Sequence, residues 1–370
     1  MAQFDVVFEG GGAKGVAFLG ALEVLEERGH TIRRVMGTSA GAITAALVAA
    51  RFSNAEIREM VLERHGGEPR FQSFLDKPAR HEFSAEMIES SETILALREM
   101  DFPFVPDWAE KRIDRLVIDR LLQSTLYSRF FSLVERGGYY SGRTFLQWLQ
   151  EKLALRQIRI DTTLAQMNAT TGSDMSVVVS DTTAHKMLVL NHRTAPDVPV
   201  CWAVRMSMSI PFVWPEVCWR KEWGLFRGND ICGHAIVDGG ALSNFPIKYI
   251  AVEPEVSAEV REVMGDTHAR DAGNLGLMID EECEVPGQPP REEAPSSVFS
   301  SRRTIRRAAR LLDTMMGAHD SEYIHHYQKC ICRLPAKGYG TLEFDLRDKR
   351  LSDFIDAARA AMTRHLDRAA

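Results

Sequence analysis

No run of this 370-residue chain is apolar for long enough to span a bilayer, which takes about 20 consecutive apolar residues. The charged-then-apolar leader of a secreted protein is also missing. A strand pattern begins within a few residues of Met1, so a cytoplasmic location is expected. Basic excess is absent: 45 Lys and Arg stand against 51 Asp and Glu, a net charge of −6. That removes the global field on which nucleic-acid binding depends, and no nucleic acid is expected as a partner. Cys201, Cys218, Cys232, Cys283, Cys330 and Cys332 never fall in C-x-x-C spacing. Cys330-Ile331-Cys332 alone is too little to define a metal or redox site, so reduced, partly buried thiols are expected. Internal repeats are lacking as well. What is present is 45% hydrophobic residues, enough for a substantial core in one large or two smaller domains.

The first fifty residues carry the chemistry. Phe4 to Glu9 reads as a short buried strand, and it feeds the glycine turn Gly10-Gly11-Gly12-Ala13-Lys14-Gly15. From Val16 to Arg28 the period becomes helical, with Phe18, Ala21, Leu22 and Leu25 on one face and Gly29 at the C-terminal stop. Val35 and Met36 begin a second strand end, and Gly37-Thr38-Ser39-Ala40-Gly41 opens an apolar helix, Ala42 to Ala50. G-x-S-x-G between a strand and a helix has the form of a nucleophile elbow. A right-handed β-α-β crossover makes the two strands parallel. If they are neighbours, about 4.8 Å apart, both turns share one edge of the sheet. The amides of Gly11 and Gly12, with that of Ala40 at a helix N-terminus, could then hold an oxyanion.

The same glycines also satisfy G-x-G-x-x-G (Gly10, Gly12, Gly15), the dinucleotide fingerprint. That reading expects an acidic residue at the end of the second strand, where this chain has Met36-Gly37-Thr38-Ser39. It stands as the alternative, a Rossmann-like nucleotide binder.

A nucleophilic serine needs a base. A Ser-Asp-His triad would draw on the late histidines His268, His319, His325, His326 and His365, none of them in a glycine-framed strand end. Ala235-Ile236-Val237-Asp238-Gly239-Gly240 instead ends an apolar strand with an acid and two glycines, which places Asp238 at the same edge as the other turns. As a base at neutral pH, Asp238 would need desolvation to raise its pKa.

With these segments in hand, the chain resembles the patatin-like phospholipases, lipid acyl hydrolases that use a Ser-Asp dyad. Gly10 to Gly15 match the oxyanion loop, Gly37 to Gly41 the elbow, and Asp238-Gly239-Gly240 the D-G-G/A box. Arg205-Met206-Ser207-Met208-Ser209-Ile210-Pro211-Phe212 is similar to the family's serine-rich segment before that box. Lys14 stands where many members have arginine. The similarity runs from about residue 4 to 250. It implies a three-layer α/β/α fold with a mostly parallel sheet, Ser39 and Asp238 as catalytic pair, and no cofactor or metal for the chemistry. Membrane phospholipid or lysophospholipid is the implied substrate, cleaved at its carboxylic ester. A lipid-binding or regulatory member without turnover, and one held latent for an unidentified activating partner or ligand, use the same residues.

Around these motifs the chain divides into a catalytic domain at 1–280 with a helical insertion at about 51–155, a Pro/Glu/Ser-rich loop at 281–301, and a helical region at 302–370 packing on the same domain. The apolar Phe102 to Trp108 and the cluster Trp202, Phe212, Trp214, Trp219 and Trp223 are candidates to line an acyl groove. In 302–316 a face of Arg302, Arg303, Arg306, Arg307 and Arg310 opposes an apolar one, a pattern suited to peripheral contact with an anionic membrane or to packing on the sheet.

Overall fold

The computed structural model describes residues 1–94, 118–251, 258–265, 272–287, 321–341, 343–346 and 348–369. Phe102 to Trp108, the 302–316 segment and most of the Pro-rich stretch lie outside them, as do His268 and His319.

The strands are β1 (Gln3–Phe8), β2 (Thr31–Thr38), the two-residue hairpin arms β3 (Arg64–His65) and β4 (Glu68–Pro69), β5 (Asp174–Asp181), β6 (Lys186–Leu190), β7 (Val217–Cys218), β8 (Ala235–Asp238), β9 (Ala272–Asp280) and β10 (Ile331–Pro335). Eight form one sheet in the order β10-β9-β1-β2-β5-β8-β7, with β6 also pairing β5. The five from β10 to β5 are mutually parallel, whereas β6, β8 and β7 enter antiparallel.

Side chains alternate across this sheet as the strand period requires. Val6, Phe8, Val35, Val177 and Val179 enter the larger core on one face, beneath α1 (Ala17–Glu27) and α2 (Ala40–Ala49). Val7, Met36 and Val178 enter a second core on the other face, under Phe245, Ile247 and the helix Ala258–Met264. Helices on both faces of a mostly parallel sheet make the three-layer α/β/α fold that the resemblance implied. In α2 every residue but Val48 is buried, which accounts for its nearly continuous apolar sequence.

The C-terminal region is not purely helical: Ile331–Pro335 extends the sheet beside β9. Five residues ending in proline leave too short a pattern to separate from a loop. The helix Asp348–Ala369 then packs on α1. A Cβ at Gly20 would lie 2.3 Å from Ile355 O, so glycine is what allows the two helices to approach this closely. The insertion carries its own small core of Phe83, Ile88, Ile94, Ile118, Leu122 and Phe131. Among the described residues no helix is long and apolar enough to cross a membrane.

Candidate active site

The elbow is built by close backbone approach. A Cβ at Gly37 would meet Gly41 O at 2.1 Å, and one at Gly41 would meet Phe8 O at 2.2 Å. Only glycine at both places lets β2 turn into α2 while pressed against the end of β1. Between them Ser39 sits at φ 52, ψ −120, a conformation that costs a non-glycine residue about 1–3 kcal/mol. Ser39 N–H donates to Ser207 Oγ (2.9 Å), and the Ser207 hydroxyl donates onward to Val178 O (2.7 Å).

β1 and β2 are neighbours, with Phe8 paired to Gly37, so the glycine loop does lie beside the elbow. A Cβ on Gly10 would come 3.3 Å from Ser39 Cβ, and one on Gly15 would come 2.7 Å from Ala40 Cβ. The loop passes from extended Gly11 to Gly12 at φ +55 and into a short 3-10 turn. Ala13 N–H donates to Thr341 O (2.8 Å) and Lys14 N–H to Gly11 O (3.1 Å). Among the described residues no acceptor is paired with the amides of Gly11, Gly12 or Ala40. The Lys14 side chain is buried and ion-paired with Glu281.

Asp238 reaches the site by a route the sequence did not suggest. β8 runs antiparallel to β5, so its end is not at the shared carboxyl edge of parallel strands. The register restores the proximity. β5 overshoots β2 by three residues, and Asp238 pairs with Val179, one residue beyond the Val178 that faces Thr38. Asp238 Oδ1 accepts from Gly240 N–H (2.8 Å), and Asp238 N–H donates to Ser209 O (2.9 Å). Oδ2 is buried without a hydrogen-bond partner among the described residues. The Ser39 hydroxyl is near enough to favour the Asp238 charge, but its hydrogen bond here goes to Met208 Sδ, 3.7 Å away. Burial dominates over that neighbour and the Gly240 amide, and it raises Asp238 from 3.8 to about 7. Ser39 and Asp238 are 0% and 1% exposed.

Of the supports around the pair, Asn244 carried no signal of its own in the sequence, whereas Arg205 lies in the serine-rich segment. Asn244 grips the glycine loop twice, accepting from Gly10 N–H on its carbonyl (3.0 Å) and donating from Nδ2 to Gly10 O (2.9 Å). Arg205, fully buried and lowered to about 10 by desolvation, donates to Ser209 Oγ. Alternating serines in an apolar stretch, Met206-Ser207-Met208-Ser209, were the visible hint of this role.

The apolar slot beside Ser39 is not the tryptophan cluster. Trp214, Trp219 and Trp223 are core residues, Trp202 is half-buried under Arg220, and Phe212 is exposed. A cavity of about 20 Å³ lies at Gly12, Ala40 and Met208, and beside it is a chamber of about 160 Å³ near Leu62, Pro69 and Leu351, whose lining also includes Arg64 and Glu343. Val16, Val61, Phe71 and Phe344 line both.

No histidine among the described residues hydrogen-bonds to Ser39 or Asp238. His325 and His326 lie on the helix Ser321–His326, and His365 is on the C-terminal helix. Asp–His pairs among the described residues include Asp181 with His234 Nδ1 (2.7 Å) and Asp174 with His192 Nδ1 (3.7 Å), and neither aspartate is Asp238. His234 precedes β8, four residues before Asp238, about 13 Å away at strand rise.

The patatin-like phospholipase family profile matches residues 6–251. The chain belongs to this family. It is 29% identical over 363 residues to the uncharacterized protein YqhO of Bacillus subtilis strain 168, covering 96% of this chain and 95% of that one. It is 22% identical over 111 residues to the probable lipid hydrolase 463L of Invertebrate iridescent virus 6, covering 30% and 34% of the two chains. Among solved structures it is similar to VipD of Legionella pneumophila (TM-score 0.46, 18% identity, all of this chain and 67% of that one). Similarity to the type III effector ExoU has a TM-score of 0.42 and 14% identity. This chain spans about half of ExoU, 53% of its length.

Proposed function

We propose that this chain is a serine lipid acyl hydrolase of phospholipase A or lysophospholipase type, working through a Ser39–Asp238 dyad. The observation that carries the proposal is a strained, buried serine at a G-x-S-x-G elbow, facing a buried carboxyl whose pKa is lifted to about 7. A base poised there is about half ionised at neutral pH and can both take and return a proton. Ser39 Oγ attacks the ester carbonyl as its proton passes to Asp238. The tetrahedral oxyanion is held by the amides of Gly11, Gly12 and Ala40, an effect of about 3–4 kcal/mol per donor. Collapse breaks the bond to the leaving alkoxide, which takes the proton from Asp238. Water, deprotonated by Asp238, then releases the fatty acid and restores Ser39.

The slot favours an acyl chain over a polar ligand. Its neck is about 20 Å³, room for little more than one water, so an entering chain must displace side chains that line it. A substrate resident in a bilayer places the chain at a lipid surface, and the arginine-rich 302–316 segment is the sequence feature suited to anionic lipid. Intact-protein mass after exposure to a fluorophosphonate, with Ser39→Ala as control, tests the nucleophile. A single adduct lost in the variant is expected; an adduct elsewhere, or none on folded protein with vesicles present, refutes it. Fatty-acid release from phospholipid vesicles and from lysophospholipid then separates the two substrate classes.

A further inference from the structure

We infer that Ser207 is a positioning residue for acyl transfer, its hydroxyl fixing the backbone of the nucleophile. The inference rests on the dyad reading above. The glycines at 37 and 41 permit the Ser39 conformation but do not hold it. The β2–β5 ladder ends at Thr38 and Val178, and just beyond it the Ser39 N–H and the Val178 carbonyl face the interior. The Ser207 hydroxyl bridges them, accepting from Ser39 N–H at 2.9 Å and donating to Val178 O at 2.7 Å. Ser207 is 0% exposed, so both bonds form away from water, where their loss is costly.

The next two residues extend the same support. Met208 places Sδ 3.7 Å from Ser39 Oγ, and Ser209 offers its carbonyl to Asp238 N–H at 2.9 Å. Three consecutive residues thus touch the nucleophile's backbone, its hydroxyl and the backbone of the acid. Gly239, directly after the acid, is pressed on Val178 O, where a Cβ would be 2.4 Å away. The spacing of Ser39 and Asp238 is therefore referred to one strand through one side chain, and Ser207 acts on catalysis through Ser39 without touching substrate.

The test compares Ser207→Ala and Ser207→Cys with the wild-type chain, using the rate of Ser39 labelling by a fluorophosphonate, kcat and KM on a soluble ester, and thermal unfolding. Ser176→Ala is the control, since Ser176 is equally buried on β5 but bonds Asn191 Nδ2 instead (3.1 Å). Misplacing a reacting group by about 1 Å can cost 10²-fold. Ser207→Ala should slow labelling and kcat by about 10- to 100-fold with KM within about two-fold, and Ser207→Cys should fall between. Ser176→Ala should lower the melting temperature comparably yet label at the wild-type rate. Wild-type labelling by folded Ser207→Ala, or equal slowing in Ser176→Ala, overturns the inference. Should the alanine variant not fold, a cysteine variant as fast as wild type overturns it and a slower one supports it. An unlabelled wild-type chain would instead overturn the dyad reading, and this inference with it.

Discussion

Replacing Asp238 with asparagine should make the protein more stable at neutral pH while stopping turnover. Burial raises the Asp238 carboxyl from 3.8 to about 7. The folded chain therefore holds this proton more tightly than the unfolded chain does. The stabilisation that follows is complete below about pH 4 and is lost as pH rises through about 7. Relative to a group that does not titrate, the cost of ionising Asp238 in the fold grows from about 2 kcal/mol at pH 5 to about 4 kcal/mol at pH 7, with little further rise. Asparagine keeps an oxygen for the Gly240 amide, which now donates to Oδ1 at 2.8 Å. It puts an NH₂ group where Oδ2 has no partner among the described residues, and Ser39 Oγ is positioned to accept from it.

Denaturant unfolding of both chains between pH 4 and pH 9 measures the difference. Any constant cost of the new amide shifts the whole curve, so the informative quantity is its slope. The variant should gain on the wild type by about 2 kcal/mol or more between pH 5 and pH 7, then level off. Ester turnover should fall at least about 10³-fold in the variant, and wild-type kcat/KM should climb with pH through an apparent pKa near 7, as expected of a base active when ionised. A stability difference flat with pH would refute the desolvated-base account, and near-normal turnover by Asp238→Asn would return the role of base to a histidine.

Ser39→Ala should abolish esterase activity and keep the fold, whereas Ser39→Gly should melt higher than Ser39→Ala because glycine alone is at ease at φ 52, an advantage of about 1 kcal/mol. Equal melting temperatures would show that the elbow is not strained. Gly41→Ala, whose Cβ would fall 2.2 Å from Phe8 O, should lose more than about 3 kcal/mol or fail to give soluble protein; a wild-type melting curve would refute the close approach. Phe344→Ala should widen the slot and favour longer acyl chains, and Val61→Trp should favour shorter ones, read from a series of esters of rising chain length; an unchanged preference in both would move the acyl site elsewhere.

The parts of this site that were legible in the sequence are those in which one residue type has one physical use. Gly37 and Gly41 are forced by backbone contacts that admit no side chain, and a strand before them with an apolar helix after them made the elbow readable. β1 and β2 were legible as parallel strands joined by a right-handed crossover, while their adjacency is what the register adds. The slot beside the elbow was not legible, since Val61, Phe71 and Phe344 come from three separate segments and are ordinary apolar residues within each. The tryptophans drew attention by their size, yet size is better explained by the core they fill.

Asp238 shows most clearly how far the linear argument reaches. Its motif was visible, but the direction of its strand was not, because four residues of β8 carry no mark of parallel or antiparallel pairing. The antiparallel arrangement works only because β5 runs on past the end of β2 and offers Asp181, Ser180 and Val179 as partners for Ile236, Val237 and Asp238. A one-residue slip of β8 along β5 would move the acid off Val179, its partner just beyond the level of Thr38. Alternation would also turn its side chain to the opposite face. The spacing of Ser39 and Asp238 is thus set by the relative lengths of two strands, a property of the register that no single motif contains.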